Sequence, residues 1–238
     1  MIAALLLLAI QADTTKARPP AEVRFTGDIG YVATSGNSSV ETLNLGDKVS
    51  AKVGDVILSQ TFALVYGESK EKTVTSLYRG ALRVDKGAKT APVSVFGLLN
   101  YERNVFAGLG SRWSGASGLT VHLSRQGRTR VAMEGGISVT RQRGTATSGR
   151  DVDFLGGRAA GILSQHLTEK ASVAQTIEVL PNFREPEDLR VNSESSLIAP
   201  LTGSIAIKLS YVIRYDGLPE KDYETTDRLF TSGIQLSL

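Results

Sequence analysis

Residues 203–238 alternate between apolar and polar side chains over two long segments. Every odd position from 205 to 215 is apolar, whereas Ser204, Lys208, Ser210 and Arg214 occupy even positions. A period of two is typical of a β-strand with one apolar and one polar face. Residues 225–238 repeat the alternation after a turn at residues 216–220, so this part of the chain predicts a long hairpin.

The same alternation recurs from Ala21 to the last residue and predicts one all-β domain over residues 21–238. Its strands are expected at about residues 22–33, 39–53, 56–66, 73–84, 92–103, 112–123, 129–141, 152–167, 171–182, 189–198, 203–215 and 225–238. Two architectures fit this pattern. One is a single antiparallel transmembrane β-barrel of about twelve strands with apolar side chains outward, and the other is a soluble barrel or sandwich that encloses lipid.

The connections between the predicted strands fall into two alternating sets. Those after the even-numbered strands are mostly short, whereas those after the odd-numbered strands, such as residues 67–72 and 142–151, are longer on average and rich in Gly or charge. Transmembrane barrels show this difference between periplasmic turns and external loops. Five aromatic residues of the apolar parity lie near the longer loops and predict an interfacial girdle: Tyr31, Tyr66, Tyr101, Trp113 and Tyr215.

The first residues carry an apolar run at positions 2–10. The run is too short to cross a bilayer as a helix but has the length of the hydrophobic region of a secretory signal. We therefore predict a signal peptide and short leader over residues 1–17, cleaved after Ala12 or after Ala17. The chain has no cysteine, which removes disulfides, thiolate metal sites and the lipid-attachment cysteine of a lipoprotein.

The polar parity of the strands carries ten basic and six acidic side chains. If this face points inward, these side chains line a positively charged lumen, either as paired and solvated groups or as a selectivity lining. The lumen-lining candidates are Arg24, Asp28, Lys48, Arg79, Arg83, Arg112, Arg130, Glu134, Arg158, Arg190, Lys208 and Arg214, and Glu102, Glu178, Glu194 and Asp227 complete the set.

A few residues break the alternation. Asp47, Gln60, Gln165 and Ser195 fall on the apolar parity, whereas Phe96 and Phe154 fall on the polar one. A β-bulge adds a residue to a strand and so exchanges the two faces beyond it. We therefore expect bulges in these strands, above all in the tenth, at residues 189–198.

Catalytic and metal chemistry find little support in the sequence. The two histidines, His122 and His166, lack companions at metal-ligand spacing. His122, Ser124 and Glu134 suggest a lipid-hydrolase triad, but no nucleophile-elbow motif accompanies them. The 27 basic and 24 acidic residues are spread along the chain without the basic tract that nucleic-acid binding requires. We predict no cofactor, no metal and no nucleic-acid partner.

Short motifs near both ends of the alternating region resemble known barrel proteins. Residues 232–238 resemble the assembly signal of bacterial outer-membrane barrels, with Gly233, Leu236 and Leu238 at its glycine and hydrophobic positions, although its last position is usually aromatic. Further matches to the salt-stress-induced outer-membrane protein family are Gly30, Tyr31, residues 34–38, Leu43, Ser210, Tyr211, Tyr215, Pro219, Thr226 and Asp227. The resemblance spans residues 22–238 and implies a barrel domain without an assigned activity or catalytic residue.

The resemblance and the alternation together favour a non-enzymatic barrel in the bacterial outer membrane. The expected role is a narrow pore or an envelope component linked to salt or osmotic stress. Its expected partners are outer-membrane lipid and the barrel-assembly machinery. Two alternatives stay open on the sequence, a soluble periplasmic lipid-binding barrel and a barrel-embedded lipid hydrolase, because a fold alone does not establish a function.

Overall fold

Twelve strands make up most of the chain that the computed structural model describes, namely residues 22–34, 40–69, 72–87, 91–105, 108–125, 127–145, 151–168, 171–219 and 223–238. They are β1 (Glu22–Thr34), β2 (Val40–Val53), β3 (Val56–Ser69), β4 (Lys72–Lys86), β5 (Val93–Asn104), β6 (Leu109–Ser124), β7 (Thr129–Gly144), β8 (Val152–His166), β9 (Ser172–Pro181), β10 (Leu189–Pro200), β11 (Ile205–Asp216) and β12 (Thr226–Ser237). The predicted signal peptide lies outside the described residues. Within these ranges, no helix has the length and apolar character needed to cross a bilayer.

The strands form a closed antiparallel barrel. Strands that follow each other in the sequence pair as hairpins, and a further pairing between β1 and β12 closes the ring. Closure gives every strand a hydrogen-bonded neighbour on both sides, which removes the free sheet edges that lipid does not tolerate. The prediction of a single antiparallel barrel of about twelve strands is confirmed.

The seam between β1 and β12 is a short pairing whose register covers four residues of each strand. Two backbone hydrogen bonds between Phe25 and Leu238, of 3.0 and 2.9 Å, extend it. A Cβ atom on Gly233 would overlap the backbone of Ile29, so glycine permits the close approach of the two strands. Leu236 and Leu238, the hydrophobic residues of the predicted assembly signal, are 40% and 74% exposed.

Apolar side chains point outward from the barrel. Ile29, Leu119, Met133, Ile137 and Phe230 each keep between 52% and 64% of their surface exposed. The interior positions of the same strands hold mainly polar and charged side chains. An apolar exterior around a polar interior suits a barrel that sits in lipid, whereas a soluble lipid carrier needs the reverse arrangement. The described faces therefore contradict the soluble lipid-binding alternative.

The predicted loop at residues 67–72 is wrong. β3 continues to Ser69 and β4 begins at Lys72, because backbone pairing with β2 continues through this charged segment, with Glu41 opposite Glu68. The connection between β3 and β4 is consequently as short as a turn. Residues 145–151, 182–188 and 217–225 form longer connections at the same end of the barrel. We call this end the loop end and the opposite one the turn end.

Polar residues on the outer surface keep their positions without the expected bulges. Gln60 Nε2 donates a hydrogen bond of 3.0 Å to Asp47 Oδ1 on the neighbouring strand. On β9 and β10, Gln175 Nε2 donates to Ser193 Oγ at 2.9 Å, and Ser195 Oγ donates to Gln175 Oε1. The β2–β3 and β9–β10 pairings show no register shift. Hydrogen bonds between neighbours reduce the cost of polar groups on an apolar surface and so make a bulge unnecessary.

Candidate functional site

The interior of the barrel encloses a cavity of about 940 Å³. All twelve strands contribute to its lining, which mixes charged, hydrogen-bonding and small apolar side chains. The cavity extends from Leu218 and Tyr223 at the loop end to Ala174 and Ile198 near the turn end. Since ligand sites in barrels lie in such interiors, this cavity is the candidate functional site.

Two ion pairs cross the lumen near the loop end. Arg214 on β11 donates from Nη1 to Oε1 of Glu102 on β5, at 2.8 Å, and these strands stand on opposite walls of the ring. Arg112 on β6 reaches Asp216 on β11, with 3.3 Å between Nη2 and Oδ2. Arg112 Nε also donates to Gln142 Oε1 at 2.8 Å, which holds the guanidinium in place. We call Glu102, Arg112, Arg214 and Asp216 the loop-end bridge, and it narrows the lumen at this level.

A second set of ion pairs fills the lumen wall formed by β4 to β9. The Glu134 side chain is fully enclosed, with 0% of its surface exposed. Arg83 and Arg158 donate to its Oε2 atom at 3.1 and 2.6 Å. Arg158 also donates to Glu178 at 2.7 Å, and Arg83 to Asp85 at 2.8 Å. Buried charges persist when they are paired and hydrogen-bonded, as in these five residues, which we call the buried-charge cluster.

Phe96 is held between the two arginines of the buried-charge cluster. Its ring centre lies 5.0 Å from the guanidinium carbon of Arg83 and 4.9 Å from that of Arg158, and 1% of the residue is exposed. Gly118 and Gly136 separate Phe96 from Arg158 along the row of paired residues. Because neither glycine carries a side chain, the ring and the guanidinium meet over them in a cation–π contact. Phe96 therefore faces the lumen without a bulge.

Phe154 supports a third interior arginine in a similar way. The guanidinium carbon of Arg190 lies 4.8 Å from the Phe154 ring centre, and 5% of Arg190 is exposed. Asp188 Oδ1 lies 3.4 Å from Arg190 Nε, but Nε and Nη2 of Arg190 make no hydrogen bond. The other Asp188 oxygen accepts a hydrogen bond of 3.0 Å from Asn182. Arg190 thus has an opposite charge nearby without the hydrogen bonds that normally accompany burial.

Other predicted lumen residues border the cavity outside the loop-end bridge. Asp28 Oδ1 accepts a hydrogen bond of 2.8 Å from Gln235, and the other Asp28 oxygen pairs with Lys208. Lys48 and Arg79 also border the cavity. These residues come from β1, β2, β4, β11 and β12, so this side of the interior is polar but not filled.

Two predicted lumen residues lie at the turn-end rim instead, and two interior carboxylates were missed. The Arg24 side chain is 73% exposed and pairs with its strand neighbour Glu22, and Arg130 is also exposed. The missed residues are Asp85 and Asp216, which were assigned to connections. Each lies just beyond the predicted end of its strand, at a position that continues the polar parity. This continuation is the sequence signal that could have located them. With Arg24 and Arg130 at the rim and these two carboxylates inside, the predicted ten basic against six acidic side chains become eight against eight on the strands.

The predicted girdle residues lie on the outer surface towards the loop end. Tyr31, Trp113 and Tyr215 are 60%, 49% and 39% exposed. Tyr101 packs beside Trp113 with their ring centres 4.8 Å apart, and the Tyr66 hydroxyl donates to Glu68. Aromatic rings with a polar atom suit the boundary between hydrocarbon and water.

Comparison with known proteins agrees with the closed barrel. Residues 27–237, from within β1 to the last residue of β12, match the family described as protein of unknown function, DUF481. The chain belongs to this family. No curated protein sequence matches the DUF481 chain. Nothing in these comparisons concerns salt stress.

Solved structures show what the DUF481 barrel resembles. An outer membrane channel from Pseudomonas putida F1 is 9% identical, with 96% of this chain and 100% of that chain covered and a TM-score of 0.53. The NanC porin is 11% identical, with 90% and 100% covered and a TM-score of 0.52. At such identities the likeness concerns the fold. The DUF481 chain has the barrel fold of bacterial outer-membrane proteins.

The DUF481 barrel does not assemble the hydrolase triad suggested by the sequence. The Ser124 hydroxyl donates to the Thr129 carbonyl at 2.8 Å, and His122 Nε2 lies 2.9 Å from Ser94 Oγ instead. Glu134 accepts hydrogen bonds from Arg83 and Arg158 of the buried-charge cluster. Across the part of the chain that the structure describes, no group of three or more His, Asp or Glu residues could hold a metal ion.

Proposed function

We propose that this chain is an outer-membrane β-barrel without enzymatic activity that lets small polar solutes pass through a narrow lumen. The observation that carries the proposal is the cavity of about 940 Å³, which extends from the loop end to near the turn end. Barrels of eight strands are filled by their own side chains, and barrels of about sixteen hold wide aqueous channels. Twelve strands lie between these cases.

Several observations support a location in the outer membrane. The exterior is apolar, aromatic residues cluster towards one end, and the two solved structures compared above are described as a porin and an outer membrane channel. Outer-membrane lipid then covers the exterior, and the barrel-assembly machinery recognises Gly233, Leu236 and Leu238. The predicted signal peptide directs export. We also propose a role in salt or osmotic stress, which is supported by the resemblance of the sequence to the salt-stress-induced outer-membrane protein family.

The charged interior limits what passes. The loop-end bridge narrows the entrance and the buried-charge cluster fills one wall, so the remaining route is the rest of the cavity, which reaches Ala174 and Ile198 near the turn end. Most interior charges are paired, the strands place eight basic and eight acidic side chains inside, and the exposed Arg130 adds a positive charge at the turn-end rim. We therefore expect small conductances with a weak preference for anions, which declines as salt screens the lining.

Planar-bilayer recording of the purified full chain tests the proposal. The expected result is discrete current steps. Under a KCl gradient, the reversal potential should be shifted from zero towards the equilibrium potential of chloride. Arg79→Glu should shift that potential towards cations, because Arg79 borders the cavity. Arg128→Gln, at an exposed turn, is the matched control and should leave the potential unchanged. A correctly folded barrel without conductance would contradict the pore and indicate a closed structural barrel.

Location and stress response need their own experiment. Membrane fractionation should recover the chain in the outer membrane, in a form that migrates differently on gels before and after boiling. A deletion strain should grow more slowly than its parent in high salt and recover with the intact gene. Recovery of the chain from the periplasm without detergent contradicts the location, and equal growth contradicts the stress role alone.

A further inference from the structure

Arg190 and Arg158 are two interior arginines with nearly equal burial and very different hydrogen bonding. They are 5% and 7% exposed, and each guanidinium lies about 4.8 to 4.9 Å from an aromatic ring centre. Arg158 donates to Glu134 and Glu178 at 2.6 and 2.7 Å. Arg190 leaves Nε and Nη2 without any hydrogen bond. A buried donor without an acceptor destabilises a protein by about 1–3 kcal/mol, and more when it is charged.

We propose that Arg190 is the anchor of a binding site for a small monocarboxylate in the loop-end half of the lumen. The inference rests on the proposed function for the route by which the ligand arrives, but binding itself requires only the folded barrel. Arg190 borders the cavity, and so do Arg112, Gln142 and Asn192. A carboxylate at this level meets a guanidinium whose Nε and Nη2 make no hydrogen bond within the protein.

The geometry around Arg190 explains how a carboxylate is held. Two parallel N–H groups of a guanidinium match the two oxygens of a carboxylate, which gives a short, charge-assisted pair of hydrogen bonds. Asp188 does not fill this role, because its Oδ1 atom lies 3.4 Å from Nε and its Oδ2 atom is bound by Asn182. The unbonded nitrogens face away from solvent, so binding turns the guanidinium on the Phe154 ring towards the cavity.

The surrounding carboxylates select the charge of the ligand. Glu102, Asp188 and Asp216 lie in the same half of the lumen as Arg190 and repel each added negative charge, whereas the other arginines there, Arg112 and Arg214, are already paired with Asp216 and Glu102. A monoanion experiences half of the repulsion that acts on a doubly charged phosphate at the same place. Chloride carries one charge but has no pair of oxygens to match the guanidinium fork. We therefore expect acetate to bind most tightly, phosphate less tightly and chloride most weakly.

Binding is measured without any current, by ¹⁹F NMR of trifluoroacetate added to the folded full chain in detergent micelles. The trifluoroacetate line should broaden, and sodium acetate should restore it at a lower concentration than phosphate or chloride at equal ionic strength. Arg190→Gln should weaken binding roughly tenfold or more, because both fork hydrogen bonds are lost. Arg190→Lys, which keeps the charge but not the fork, should give an intermediate loss.

The controls separate this inference from the pore. Arg128→Gln should bind trifluoroacetate like the unchanged chain, and gel migration without boiling checks that each variant is folded. If the unchanged chain causes no broadening, or if folded Arg190→Gln binds equally well, the inference is wrong while the pore proposal stands. If Arg190→Gln does not fold, the unchanged chain still tests the inference. The inference is wrong if acetate displaces trifluoroacetate from it no better than chloride does. Binding by a barrel without conductance supports the site and contradicts the pore.

Discussion

Arg214 and Glu102 meet across the full width of the lumen, with 2.8 Å between Nη1 and Oε1, although β11 and β5 stand on opposite walls. Glu102 also lies 3.9 Å from Arg112, the other arginine of the loop-end bridge. One carboxylate therefore links two arginines from different walls. Side chains that extend this far into a barrel determine its narrowest cross-section.

Removal of the Arg214 side chain should widen the lumen. Arg214→Ala takes away the longer partner of the Glu102 pair, so the single-channel conductance should rise above that of the unchanged barrel. Planar-bilayer recording measures the change. Arg228→Ala is the matched control, because Arg228 is an exposed arginine of β12 on the outward parity, and its conductance should stay the same. An unaltered conductance in Arg214→Ala would place the narrowest level elsewhere.

A charge on the outer surface should destabilise the barrel far more than the same charge in the lumen. Ile137, at the middle of β7, is 59% exposed to the surroundings of the barrel. Ile137→Arg should cost about 2–4 kcal/mol in refolding titrations with lipid vesicles, because a cation at the bilayer midplane loses its water. Thr176→Arg places the same side chain at the cavity and should cost much less. The reverse order would contradict the assignment of the two faces.

Adjacent glycines in β7 should respond differently to alanine. A Cβ on Gly136 would overlap the backbone carbonyl of Ser117 on β6, whereas a Cβ on Gly135 would meet nothing within 4 Å. Gly136→Ala should therefore force the β6–β7 pairing apart and lower the yield of refolded barrel. Gly135→Ala should refold like the unchanged chain. Equal yields from the two variants would mean that the strands adjust to the extra atom.

Loss of the enclosed carboxylate should leave two arginines poorly compensated. Glu134→Gln removes the negative charge that Arg83 and Arg158 share, and we expect a loss of about 3–5 kcal/mol in the free energy of unfolding by urea. Glu22→Gln breaks the exposed pair with Arg24 and should change stability by less than about 0.5 kcal/mol. A small effect of Glu134→Gln would show that water or rearranged carboxylates replace the lost charge.

The alternation of side chains determines the barrel and its two faces because each strand has one side in lipid and one side in the lumen. Ile207 and Leu209 of β11 are outward and Ser210 is buried inside, as the period of two predicts. The same rule places Asp216 inside when the predicted strand is extended by one residue. The fold was therefore predictable from local pattern, without knowledge of any contact between distant strands.

Partners across the lumen were not predictable in the same way. The pattern places Glu102 and Arg214 on the inner face, but their meeting depends on strand tilt, register and the curvature of the closed ring. Phe96 shows the same limit, because its burial depends on two glycines contributed by β6 and β7. The unbonded nitrogens of Arg190 are likewise visible only once Asp188, Asn182 and Phe154 are placed around it.

The seam between the first and last strands has a kinetic consequence. Asp28 and Gln235 touch across it although 207 positions separate them, whereas every other pair of neighbouring strands is a hairpin whose contacts are local in the chain. Contacts between distant segments carry a larger loop-closure entropy and form slowly. With four register pairs to hold it, we expect the seam to close last. The time that this chain spends as an open, edge-bearing sheet is then determined by the encounter of β1 with β12.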